Sequence, residues 1–160
     1  MPDIIAATGH RLPKLGGYGQ PVQARLVAFA TGYLKVERPD KTISGMALGW
    51  DMAFAQASAD LGIPFVAAVP FDGQDTKWPP ESRAAYWKLM RLASRTHIVS
   101  TGAYEPHKMQ VRNEWMVDHC TRLAALWDGS SGGTGNCIKY ARRVGRPFDN
   151  LWADWQAIAQ

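Results

Sequence analysis

Five short apolar runs, each closed by a turn residue and each followed by a helical pattern, constrain this chain more than any other feature. The first covers residues 4–7 and ends at Thr8-Gly9. The others are Thr42-Ile43-Ser44, residues 63–69 ahead of Pro70, His97-Ile98-Val99, and residues 123–127 ahead of Asp128-Gly129. They are nearly continuous in apolar character rather than alternating, which is the pattern of strands buried on both faces. Between them the apolar spacing changes to three and four. Val22, Leu26, Phe29, Ala30, Tyr33 and Leu34 mark a helix opened by Pro21 and closed at Arg38-Pro39-Asp40. An Ala-rich helix starts at Trp50-Asp51 and stops at Gly62. Residues 81–93, 109–120 and 136–144 read as three more helices, the last stopped by Gly145. Residues 147–160 add a short strand or irregular piece and a terminal helix. The order βαβαβαβαβα predicts an α/β, Rossmann-like fold. The expectation is a parallel sheet of about five or six strands with helices on both faces, as a single domain over residues 1–160.

Composition narrows the setting. The chain is 46% hydrophobic and 20% charged, so it has material for a core and is not a disordered segment. No apolar run approaches the roughly 18 residues of a membrane span, and the start MPDIIAATGHR lacks the pattern of a secretory signal. The two cysteines, Cys120 and Cys137, show neither CxxC nor Cys/His ligand spacing. They read as buried small hydrophobes, and a cytoplasmic location is expected. Four scattered histidines give no metal-ligand pattern, so no metal is expected. The net charge of +4 suits a phosphate-bearing ligand. Lys139, Arg142, Arg143 and Arg146 share a helical face, either a solvated surface or a polyanion patch.

In open parallel sheets ligands bind beyond the carboxyl ends of the strands, where the strand order reverses. The candidate ligand-binding residues are therefore those just after each strand. They are Thr8, Gly9, His10 and Arg11; Ser44, Gly45, Met46, Gly49 and Trp50; Pro70 and Phe71; and Asp128, Gly129, Ser131, Gly132, Gly133, Thr134 and Asn136. The stretch SGGTGN leads straight into a helix. Its glycines let the backbone approach an anion, and a helix start offers free N–H groups and the positive end of the dipole. Neither a Walker A loop nor a GxGxxG after the first strand is present. Trp50, Phe71 and Trp78 can either stack on a base or pack in the core.

TGHR after the first strand, SGMALGWD after the second, RNEWMVD on the fourth helix and WDGSSGGTGN after the fifth strand together resemble the SLOG superfamily. That superfamily joins the DNA-processing protein DprA (Smf) with the Lonely Guy phosphoribohydrolases; the nearest branch is the bacterial and phage group related to YpsA. The resemblance runs from about residue 3 to 145. It implies a Rossmann-like domain holding a nucleotide at the strand carboxyl ends, with subunits paired into a dimer or higher homo-oligomer. Trp87, Trp115 and Trp127 are candidates for that interface. The resemblance also implies ligand contacts from Arg112 and Asn113, the Arg and the altered Lys of the M-x-x-R-K motif. Catalytic members carry a Glu where this chain has Lys139, and a lysine there repels the cationic character that develops as an N-glycosidic bond breaks. The candidate catalytic residues are accordingly Arg112, Asp51 and Asp128, each carboxylate having a turn or capping role as its alternative.

Three functions follow. The first is binding of a nucleotide or nucleotide-derived small molecule, AMP or ADP-ribose-like, as a sensor or sequestering module with no required cofactor. The second is a nucleoside 5′-monophosphate phosphoribohydrolase or related N-glycosidase. The third is DprA-like single-stranded DNA binding. No membrane partner is expected.

Overall fold

The computed structural model describes residues 1–17 and 19–158. Six strands form one all-parallel sheet: β1 (Ile4–Gly9), β2 (Lys41–Ser44), β3 (Phe65–Val69), β4 (Arg95–Ile98), β5 (Arg122–Leu126) and β6 (Phe148–Asn150). Their spatial order is β4-β3-β2-β1-β5-β6. The chain thus builds outward from β1 as far as β4, then returns to the other side of β1. The order reverses between β1 and β5, whose register sets Ala6 against Leu123 and Gly9 against Leu126.

Among the described residues seven helices cover the sheet: α1 (Leu12–Leu15), α2 (Gln20–Glu37), α3 (Trp50–Asp60), α4 (Pro80–Met90), α5 (Pro106–His119), α6 (Gly133–Val144) and α7 (Trp152–Ile158). Side-chain alternation along the strands divides the core into two layers. Ile5, Ala7, Phe65, Ala67, Val69, Ala124 and Leu126 face α1, α2, α3, α4 and α7, with Leu26, Trp50, Phe54 and Trp155 packed over them. Ala6, Ile43, Val66, Ala68, Leu123 and Ala125 face α5 and α6, meeting Met116, Val117, Cys137 and Ile138. The alanines in β1, β3 and β5 keep the strands thin enough for large side chains to close in from both faces.

The Rossmann-like expectation holds, and the differences have local causes. The loop expected over residues 9–20 contains α1, where Pro13 sits in the first turn and Leu12 and Leu15 are buried. β3 begins at Phe65 rather than at residue 63 because Leu61, Gly62 and Ile63 complete the end of α3. Gly62 takes φ +70°, and the Ile63 amide returns to the Ser58 carbonyl at 2.9 Å, an ending that stops the helix. α5 begins at Pro106, three residues earlier than expected, since proline is preorganised for a first turn. α6 begins at Gly133 rather than Asn136. The uncertain piece after residue 147 is the edge strand β6 followed by α7. No helix among the described residues is long and apolar enough to cross a membrane.

Candidate functional site

A cleft of about 390 Å³ opens at the carboxyl ends of β1 and β5, the point of strand-order reversal. Three groups of residues build it. The end of β1 and the start of α1 supply Thr8, Gly9, His10, Arg11, Pro13 and Lys14. The first turn of α6 and its lead-in supply Ser131 to Gly135. Asp51 on α3 and Met109, Arg112 and Asn113 on α5 close the deep side.

The α6 wall is a helix start without a side-chain cap. Gly132 occupies the cap position at φ +137°, which only glycine adopts without strain, and no side chain caps the amides of the first turn. The first intrahelical amide of α6 to close back is that of Asn136, onto the Gly132 carbonyl at 2.8 Å. The amides of Gly133, Thr134 and Gly135 are therefore the free donors of the helix start. A Cβ on Gly133 would meet nothing within 4 Å, so the backbone here borders open space. Gly135 serves packing instead, because a Cβ there would come within 2.8 Å of the Ser130 carbonyl.

His10 and Asp128 tie the loop after β1 to the loop after β5. His10 Nε2 lies 2.8 Å from Asp128 Oδ1 and 2.9 Å from the Asp128 amide. When protonated it donates to the carboxylate; when neutral it can accept from the amide. Burial pulls the His10 pKa below its ordinary value, and the Asp128 carboxylate offsets only part of this. Asp128 also accepts hydrogen bonds from the hydroxyl and the amide of Ser130, which hold its carboxyl well below the usual carboxylate range, with His10 adding to them. Lys14 donates to Ser130 Oγ at 2.6 Å and lies 3.5 Å from Asp128 Oδ2. Asp128 is thus fully engaged in shaping the loop and stands outside the cleft wall.

Asp51 and Arg112 behave differently. Both are nine-tenths or more buried. Arg112 donates from Nη1 to the carbonyls of Gly45 (2.7 Å) and Ala68 (3.3 Å), and from Nε to Asn113 Oδ1 (3.1 Å). Asn113 in turn donates to the Gly133 carbonyl at 3.3 Å, linking α5 to the α6 start. A Cβ on Gly45 would lie 2.5 Å from Arg112 Nη1 and 2.9 Å from Asp51 Oδ2, so only glycine admits the pair. Asp51 Oδ1 is buried and has no hydrogen-bond partner among the described residues. Burial pushes the Asp51 carboxyl up to about 6, against the pull of Arg112, the Ala47 amide and Arg11. Burial likewise lowers the Arg112 pKa, opposed by Asp51.

Of the residues expected at the site, Thr8, Gly9, His10, Arg11, Asp51, Arg112, Asn113, Ser131, Gly132, Gly133 and Thr134 line this cleft. The others have different placements. Ser44 binds the Asp51 carbonyl and the Met46 amide, framing the loop after β2 from inside. Met46 is fully buried at φ +59°, a costly conformation for a residue with a side chain. Gly49 (φ +98°) packs on the His10 carbonyl. Trp50, a stacking candidate, is instead core: it has no exposed surface, and its indole N–H donates to the Ala124 carbonyl at 3.1 Å. Pro70 and Phe71 are buried, Phe71 edge-on to Tyr104 and Trp78 edge-on to Tyr86. Gly129 is exposed beside Asp128. Asn136 and Lys139 lie on a separate groove between α5 and α6 with Gln110, Glu114, Tyr140 and Arg143.

Sequence reasoning passed over Pro13 and Lys14 in the cleft, and Gln74 behind it; Ala47, Met109 and Gly135, which fall within the quoted motifs, also line it. Lys14 and Pro13 arrive there because α1 turns them inward, for which the signal was Pro13 flanked by Leu12 and Leu15. Gln74 donates to the Gly45 carbonyl at 3.1 Å from a loop that reads as merely polar, so nothing in the sequence marked it.

A doubly covered parallel sheet with an uncapped helix start at its switch point defines a Rossmann-like domain. By its sequence the chain belongs to the YpsA group of SLOG proteins: the family model described as the YspA SLOG family matches residues 34–144. It is 31% identical to the SPbeta prophage-derived protein YoqJ of Bacillus subtilis (strain 168), covering 75% of this chain and 80% of that one. Two solved structures of DNA processing protein A share the fold. That of Helicobacter pylori superposes with a TM-score of 0.64 at 14% identity over 92% of this chain. That of Streptococcus pneumoniae gives 0.64 at 17% identity over 98%. This chain spans 64% and 54% of those two proteins.

Proposed function

We propose that this protein binds a nucleotide or nucleotide-derived small molecule in the β1/β5 cleft, as a sensor or sequestering module. The observation that carries this reading is the uncapped start of α6, whose three free amides border the cleft that Arg11 and Lys14 also line. A phosphate placed there gains the amide donors, the helix dipole and two cations together. The cleft volume falls within the range of about 300–1,000 Å³ typical of small-molecule sites.

A second reading, hydrolysis of an N-glycosidic bond to free base and ribose 5-phosphate, is favoured by one feature. Asp51 presents a carboxyl with one unpartnered oxygen, Oδ1, and a pKa raised to about 6, as a general acid requires. Lys139 lies outside the cleft, so it neither supplies nor blocks that chemistry. The Helicobacter pylori relative was described for its single-stranded DNA binding mode. For this chain such binding is the weaker reading, because the aromatics near the basic helix are already occupied. Arg142 covers Trp127 and Phe148 at 5.8 and 5.3 Å, and Arg143 covers Tyr140 at 5.1 Å. The homo-oligomer implied by the family would draw on the open β4 edge, where Trp87 and Ile98 are exposed.

The test is a melting-temperature panel with AMP, ADP-ribose, cyclic ADP-ribose and NAD, coupled to product analysis. A ligand at about 100 times its Kd adds roughly 2.7 kcal/mol of stability. Stabilisation with intact ligand is expected. Release of free base moves the protein to the hydrolase reading, and no shift with any nucleotide contradicts both.

A further inference from the structure

The phosphate cradle accounts for one side of the cleft and leaves the deep side without a ligand group. There Asp51 lines the cleft, and its Oδ1 is buried with no hydrogen-bond partner among the described residues. A buried polar atom left unsatisfied costs about 1–3 kcal/mol, so such atoms point to what completes them. Beside it, Arg112 directs Nη1 and Nε to Gly45, Ala68 and Asn113, while Nη2 meets no acceptor among the described residues. The deep side therefore offers one open acceptor and one open donor, held rigidly by α3 and α5.

The geometry points to Asp51 as the specificity-determining residue of this cleft: its free carboxylate oxygen accepts a hydrogen bond from a ligand hydroxyl, selecting a phosphorylated sugar over a bare phosphate. This rests on the phosphate reading of the α6 start and extends it to the rest of the ligand. A second anionic end would meet the carboxylate and be repelled, so the site suits a molecule with phosphate at one end and hydroxyls at the other. Arg112 Nη2 is placed to donate to the same sugar.

The ionised carboxylate is the stronger acceptor and the protonated carboxyl a weaker one, so a pKa of about 6 makes recognition proton-linked. The charged groups facing Asp51 are Arg112 from α5 and Arg11 from the β1–α1 loop. Cys137 from α6 also faces it, with a thiol pushed up to about 11 by burial. His10, whose pKa burial draws below its ordinary value, lines the same cleft and is common to the wild type and any Asp51 variant.

The experiment is titration calorimetry of the wild type and Asp51→Asn with inorganic phosphate and with ribose 5-phosphate, at pH 5, 6 and 7. Inorganic phosphate should bind both proteins equally or favour the variant. Ribose 5-phosphate should bind the variant about tenfold more weakly at pH 7, the scale of one hydrogen bond to a charged group. Its affinity for the wild type should rise between pH 5 and 7 by about tenfold more than for the variant, which controls for the phosphate's own ionisation. Equal ribose 5-phosphate affinities with parallel pH profiles overturn the role of Asp51 and leave the cradle standing. Failure of the wild type to bind either probe removes the cradle and the inference together. Asp51→Ala, judged by the same phosphate control, guards against any residual acceptance by the asparagine amide.

Discussion

At the residue scale, Asp51 costs the fold stability for the sake of the cleft. Its carboxyl is raised to about 6 in the folded protein, against about 3.9 for an unperturbed aspartate. The folded state thus holds its proton more tightly than the unfolded chain, and stability is lost as pH rises from about 4 through 6. Asp51→Asn removes this loss. Relative to the wild type, the variant should gain up to about 3 kcal/mol between pH 4 and 7, at roughly 1.4 kcal/mol per pK unit. Urea denaturation across that range checks the sign; parallel curves would mean that Asp51 is ordinarily solvated. The position of Asp51 after the second strand was legible in the sequence, but its unpartnered state was not. That state depends on Arg112 turning to the Gly45 and Ala68 carbonyls, a choice made by tertiary packing. Trp50 shows the opposite failure. One residue from Asp51, it stands at a helix start where a ligand-facing ring is plausible. Yet the absence of a Cβ on Gly9, which would come within 2.5 Å of the Trp50 ring, draws the indole into the core.

At the scale of elements, the start of α6 carries most of the proposed function. SGGTGN was legible because glycine has a physical reason to precede a helix that must meet an anion. Its companion α1 was less so, since four residues give little periodicity and its stability comes from burying Leu12 and Leu15. Function and stability separate cleanly at Gly133. Its φ is not in the left-handed region and a Cβ there would meet open space, so a side chain is tolerated by the fold but would intrude on the phosphate position. Gly133→Leu should leave the melting temperature within a few degrees or raise it slightly, since leucine exceeds glycine in helix propensity by roughly 0.5–1 kcal/mol. The same variant should lose nucleotide-induced stabilisation. A variant that keeps its full ligand response would place the phosphate elsewhere.

At the scale of the whole molecule, the strand order sets where function can sit. Continuous apolar strands alternating with helices made the α/β class readable. The switch between β1 and β5 was not readable, because no local pattern states on which side of β1 the fifth strand returns. Once it does, TGHR and SGGTGN, more than 115 positions apart in sequence, become facing walls of one cleft. The His10–Asp128 contact then ties them together. The most direct test of nucleotide binding there is amide chemical-shift mapping of the labelled protein titrated with AMP and with ADP-ribose. The account predicts that the largest shifts fall on Gly132, Gly133, Thr134 and Gly135, with Gly9 to Arg11 following at the same ligand concentration. Shifts confined to the α5–α6 groove around Asn136, Lys139 and Arg143, or none at all, would contradict it.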